Sequence, residues 1–140
     1  MKRIVPVALV SLLVAACAVP CPAPVTERIP RAAAVDPQNP NVTVVDGQHI
    51  VVDQEPLVFN KAMKNVVITW RLPRDGAYMF PKDGIAIQNA GDEFTNCHPQ
   101  ANGYAFSCVN VHAKAGTYKY SIKVTGTPAV PPLDPTIVNY

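Results

Sequence analysis

The chain has 140 residues, 15 prolines and a formal net charge of +2. A length of this order builds one domain with a hydrophobic core and not two. Lys2 and Arg3 belong to a leader, and without them ten Lys and Arg balance ten Asp and Glu; phosphate neutralisation dominates nucleic-acid contacts, so no nucleic acid is expected as a partner.

Lys2 and Arg3 precede an apolar run from Ile4 to Leu13, followed by the small residues Val14, Ala15 and Ala16. A charged start, a short apolar stretch and small residues before a cut mark 1–16 as a signal peptide, too short to span a bilayer. Val14-Ala15-Ala16-Cys17 resembles the lipobox of bacterial lipoproteins. The resemblance implies cleavage before Cys17, lipidation of its thiol, and attachment to the membrane through the lipid anchor. That family uses an aspartate after the cysteine to retain proteins at the inner membrane; Ala18 stands there, which implies the outer membrane, facing the periplasm. Cleavage by an ordinary signal peptidase, releasing a soluble protein, is the alternative.

Residues 17–40 carry Pro20, Pro22, Pro24, Pro30, Pro37 and Pro40 and few large apolar side chains. Proline fixes its own φ and biases the residue before it toward extended backbone, so this segment is expected to be a semi-rigid tether. From 41 to 126 no apolar spacing of 3.6 is sustained, whereas alternation with a period of two recurs between turn signals. Val42-Thr43-Val44-Val45 and His49-Ile50-Val51-Val52 flank Asp46-Gly47, which predicts a hairpin. Leu57 to Phe59 reads as a short strand. Val66 to Leu72 is the clearest strand, with Val66, Ile68, Trp70 and Leu72 on one face, Val67, Thr69 and Arg71 on the other, and Trp70 as core anchor.

Short strands are expected at Tyr78 to Phe80, at Ile85 to Gln88 and from about Glu93 onward. Tyr104 to Val111 is expected to pair with Tyr118 to Val124 as a hairpin, placing Phe106, Cys108, Tyr120 and Ile122 on one inner face. Residues 127–140, with Pro128, Pro131, Pro132 and Pro135, read as a Pro-rich C-terminal tail that packs on the domain or frays. Its final Ile137-Val138-Asn139-Tyr140 is suited to pairing with a sheet edge or to docking on a partner.

The fold class predicted is all-β, an immunoglobulin-like antiparallel β-sandwich of about seven to eight strands, with a small barrel second. Gln54-Glu55-Pro56-Leu57-Val58-Phe59, Ile68-Thr69-Trp70-Arg71-Leu72-Pro73, Phe80-Pro81-Lys82-Asp83-Gly84-Ile85 and Gly116-Thr117-Tyr118-Lys119-Tyr120-Ser121-Ile122-Lys123-Val124 resemble segments of small bacterial envelope lipoproteins with such a sandwich. The resemblance implies a fold and no activity.

In an oxidising envelope Cys97 and Cys108 are expected to form a disulfide, and a bond beside buried Trp70 would echo the immunoglobulin core. Cys21 is then left over, free to pair with Cys17 if Cys17 is not lipidated. The competing reading uses Cys97, His98, Cys108 and His112 as zinc ligands. Adjacent Cys97 and His98 point to opposite faces of a strand, which argues against it. A copper site would draw on His49, His98, His112, Met63 and Met79, but the Cys-His-Met run of copper sandwiches is absent. No cofactor is expected.

No nucleophile with a base and no usable carboxylate pair is legible, since Asp92 and Glu93 are adjacent on a strand and Asp75 and Asp83 lie in turns. The protein is therefore expected not to be an enzyme but a non-catalytic binding or structural module. Its candidate binding surface is Tyr78, Met79, Phe80 and Tyr104, with ordinary core and edge packing as the stronger competing role, and it leaves room for an envelope protein partner.

Overall fold

The computed structural model describes residues 35–100 and 102–140. The signal peptide, Cys17, Cys21 and most of the tether lie outside the described residues. Val42–Val45 (β1) and His49–Val52 (β2) pair as the predicted hairpin, in register from Val42 opposite Val52 to Val45 opposite His49. Asp46 and Gly47 take φ of 53° and 62°, the left-handed conformation that a tight hairpin turn requires. Gly47 is needed on a second count, because a Cβ there would lie 2.8 Å from Cγ of Pro128.

The remaining strands are β3 (Leu57–Phe59), β4 (Val66–Arg71), β5 (Tyr78–Met79), β6 (Ile85–Ile87), β7 (Phe94–Pro99), β8 (Ala105–Asn110), β9 (Gly116–Ile122), β10 (Thr125–Gly126) and β11 (Thr136–Asn139). One sheet has the order β4-β8-β7 and the other β3-β11-β9-β6, with the pairs β1-β2 and β5-β10 beside them. The two larger sheets pack face to face as a sandwich. Trp70 of β4 meets Tyr120 of β9 with ring centroids 5.5 Å apart, and Phe94 of β7 meets Tyr118 of β9 at 5.1 Å. There are more strands than the seven or eight expected, because a strand as short as β10 carries too little pattern to read in advance and β11 follows a proline-rich stretch.

Alternation along β4 buries Ile68, Trp70 and Leu72 and leaves Val67 and Arg71 outside, as the sequence predicts. Trp70 is fully buried, and its Nε1 donates to the Tyr120 hydroxyl at 3.3 Å. Burial pushes the Tyr120 phenol well above its ordinary pKa, so it stays protonated at any physiological pH.

Three expectations are corrected. β8 and β9 do not form a hairpin: β8 lies between β4 and β7, and β9 between β11 and β6. Phe106, Cys108, Tyr120 and Ile122 do share the core, but across the gap between sheets, where alternation is satisfied equally well. The connection that carries the chain over is fixed by the buried Glu93, whose Oε2 accepts from the backbone N–H of Ala113 at 3.0 Å and of Lys114 at 3.2 Å.

Residues 127–140 are not a tail beside the domain. β11 inserts between β3 and β9, parallel to the first and antiparallel to the second, so the sheet is mixed and not purely antiparallel. Pro135 is fully buried and its carbonyl accepts from Tyr120 N–H at 3.0 Å. Prolines lack the N–H but keep the carbonyl, so this stretch still serves β9 as an acceptor.

Nor does the tether extend to residue 40. Gln38 and Pro40 accept main-chain bonds from Thr69 at 2.7 Å and Arg71 at 3.0 Å, and Asn41 forms a parallel bridge with Arg71. Residues 38–41 thus run along the outer side of β4, with Pro40 fully buried.

Asn110 of β8 and Asn139 of β11, both buried, exchange reciprocal amide bonds of 2.9 Å and 3.1 Å from one sheet to the other. Asn139→Leu is expected to cost about 1–3 kcal/mol, since the Asn110 amide is left unpaired in the core. Pairing it with Asn110→Leu removes both halves and should recover most of that loss. Urea unfolding of the single and double variants checks this; a double variant as unstable as the sum of the singles would mean the amide pair is not the cause.

Candidate functional site

Tyr78, Met79, Phe80 and Tyr104 do not form one surface. Phe80 is buried, edge-on to Phe106 with centroids 6.0 Å apart, so its role is packing. Tyr78 is half-buried and locked, its hydroxyl donating to the Pro128 carbonyl at 2.9 Å. A Cβ at Gly126 would collide with the Tyr78 ring and the Ala77 carbonyl, which is why glycine stands opposite that ring on β10. Met79 is exposed and covers Gly103, whose φ of 70° and 3.0 Å approach to the Met79 Cβ both exclude a side chain. Phe80 N–H donates to the Gly103 carbonyl at 2.7 Å, tying the end of β5 to the start of β8.

Tyr104 faces a separate, larger cavity. Its main chain is held by Leu72 N–H, which donates to the Tyr104 carbonyl at 2.8 Å, while its hydroxyl hangs over Gly76 in the turn after β4. The cavity beside it measures about 240 Å³ and is walled by Arg71, Arg74, Gln100, Asn102 and Tyr104, with Leu72 as its main apolar element. Arg71 spends one donor on Asn39 Oδ1 at 3.1 Å. Among the described residues Arg74 makes no side-chain hydrogen bond, and no carboxylate lines the cavity. Asp75 turns away: its Oδ1 accepts from Ala77 N–H at 3.0 Å, and it lines a smaller depression of about 120 Å³ with Tyr78 on the other side of the turn.

Cys97 and Cys108 are joined by a disulfide. It connects neighbouring strands within one sheet, unlike the bond between sheets of immunoglobulin domains. Thr95 pairs with Val109 and His98 with Ser107, so Asn96 and Cys97 share the position opposite Cys108 in a β-bulge, Asn96 turning to φ 50°. Cys97 is exposed and Cys108 fully buried, so the bond pins the bulged strand to the core. A cross-link closing a loop of this length stabilises by about 2–4 kcal/mol.

The residues considered as metal ligands are placed apart. Both sulfurs are spent on the disulfide, His98 is exposed with Nδ1 2.7 Å from Asn96 O, and His49 is exposed on β2. His112 is buried, with Nδ1 3.1 Å from the Met63 carbonyl and Nε2 2.9 Å from that of Tyr140. Among the described residues no group of three or more His, Cys, Asp or Glu converges on one point.

The carboxylates are likewise engaged in structure. Glu93 holds the β8–β9 connection while Asp92 is exposed. Asp83 accepts from Lys123 Nζ at 2.8 Å, and that bond, with the nearby ammonium charge, lowers its pKa. Both side chains are well exposed, so the pair adds little to stability.

Sequence reasoning selected Tyr104 but missed Arg71, Arg74, Gln100 and Asn102. Arg71 reads as an outward residue of β4, and Arg74, after β4, and Gln100, after β7, line one cavity only because β4 and β7 both pair with β8. Compared with known proteins, the chain matches no family model, and no curated protein matches it. Fold and cavity together define an all-β, two-sheet domain with a small cationic cavity at one end.

Proposed function

We propose that the protein is a non-catalytic envelope lipoprotein, anchored through Cys17 to the outer membrane and using its sandwich as a binding or structural module. The observation that supports this reading is the division of polar groups. Those with catalytic potential, among them Glu93, Asp83, His112 and the two joined cysteines, are committed to bonds within the fold, whereas the groups around Tyr104 face solvent with donors to spare. A rigid scaffold with unspent donors in an end cavity is the arrangement of a recognition domain.

Fractionation and intact mass test the proposal. The mature protein is expected in the membrane fraction, without residues 1–16 and with acyl chains on Cys17; Cys17→Ala removes the thiol that carries the acyl chains, so their mass should disappear from the intact protein. Full-length protein in the cytosol, with residues 1–16 uncut, would refute it.

A further inference from the structure

We infer that the cavity beside Tyr104 binds a single acidic sugar unit, its carboxylate held by Arg71 and Arg74. The inference rests on the binding-module reading and names its ligand class. Guanidinium groups present a planar fork of donors that matches a carboxylate. Among the described residues Arg74 has no partner for its fork, and Arg71 only Asn39.

Arg71 and Arg74 line one cavity with no carboxylate among its described lining residues, and an anion there relieves the repulsion between the two cations. The mature chain balances its charges overall, so this is a local excess of positive charge and not a property of the whole surface. The other walls narrow the class further. Gln100 and Asn102 carry amides that can both donate and accept, the property a ring hydroxyl needs; Gln100 spends one donor on Ser107 Oγ at 2.6 Å and keeps its Oε1 and second N–H. Tyr104 and Leu72 supply an aromatic and an aliphatic surface for the C–H face of a ring.

Size sets the limit. A volume of about 240 Å³ falls below the ~300 Å³ at which pockets for drug-sized ligands begin, which leaves room for one ring and not for a chain.

The test is an NMR titration of the purified mature protein with glucuronate, glucose and inorganic phosphate in turn. Glucuronate is expected to shift the signals of Arg71, Arg74, Gln100 and Tyr104 saturably, with glucose and phosphate each about tenfold weaker or more. Arg71→Gln with Arg74→Gln should weaken glucuronate by about tenfold or more while the signals of Trp70 and Tyr120 stay in place, so that lost binding is not lost folding. Arg71→Lys with Arg74→Lys keeps the charge without the fork and should fall between.

Absence of a saturable glucuronate shift, or a shift indifferent to both arginine pairs, overturns the inference. Phosphate binding as tightly as glucuronate overturns it as well, because the cavity would then recognise an oxyanion and no sugar. A lipidated, membrane-bound protein that ignores glucuronate loses this inference and keeps the anchored-module reading; a cytosolic protein with its leader intact loses that reading whatever it binds.

Discussion

A chain stopped after Asp134 is expected not to fold. The missing residues include buried Pro135 and the whole of β11, the strand that stands between β3 and β9. Ile137 alone, fully buried, contributes about 1.5–3 kcal/mol of apolar burial, and an orphaned Asn110 costs a further ~1–3 kcal/mol. The lost ladder bonds on both sides of β11 add to this, against a typical total stability of about 5–15 kcal/mol for a domain. Proton NMR dispersion and thermal melting read the outcome. A truncated protein that melts cooperatively within a few degrees of the intact one would show that β11 is an accessory to the fold.

Trp70→Ala should cost about 3–5 kcal/mol, the range for deleting a large aromatic from a packed core. Trp70 is fully buried and is the indole partner of the equally buried Tyr120 hydroxyl, so truncation opens a cavity and strips a hydrogen bond together. Trp70→Phe separates the two effects: it keeps most of the burial, loses the N–H, and should cost noticeably less than the alanine variant. Urea unfolding measures both. A Trp70→Ala loss below about 1 kcal/mol would contradict the placement of this side chain at the centre of the sandwich.

Local signals in the sequence carried the strands and their inner faces. Asp46-Gly47 between two valine-rich runs set the first hairpin, and the alternation from Val66 to Leu72 placed Trp70 in the core. Partner choice was another matter. Alternation says which side chains are dry but not whether two dry faces lie side by side or opposite each other, and so β8 and β9 appeared to be neighbours when they face across the core. Ile137 to Tyr140 offered a strand for a sheet edge, but its place between β3 and β9 was not legible for a related reason: the preceding prolines remove donors, yet the residues around them pair through carbonyls and through a strand of only four residues.

The disulfide was legible from the placement of Cys97 and Cys108 on expected neighbouring strands, given the export that the leader predicts; the bulge that accommodates it was not, because a bulge is a property of two strands in register. The cavity was legible only in Tyr104. Its cations come from the end of β4 and the following turn, and its amides from the turn between β7 and β8, segments that only the pairing of β4, β8 and β7 brings together.

Residues 38–41 lie along β4, and the far side of β7 carries the bulge at Asn96–Cys97 followed by Pro99. Each therefore blunts one flank of the three-stranded sheet: on one side a strip containing Pro40, on the other an irregular strand ending in proline. Copies of this domain crowded together would find no straight, unsatisfied ladder there to extend, which protects that sheet against self-association through its strands.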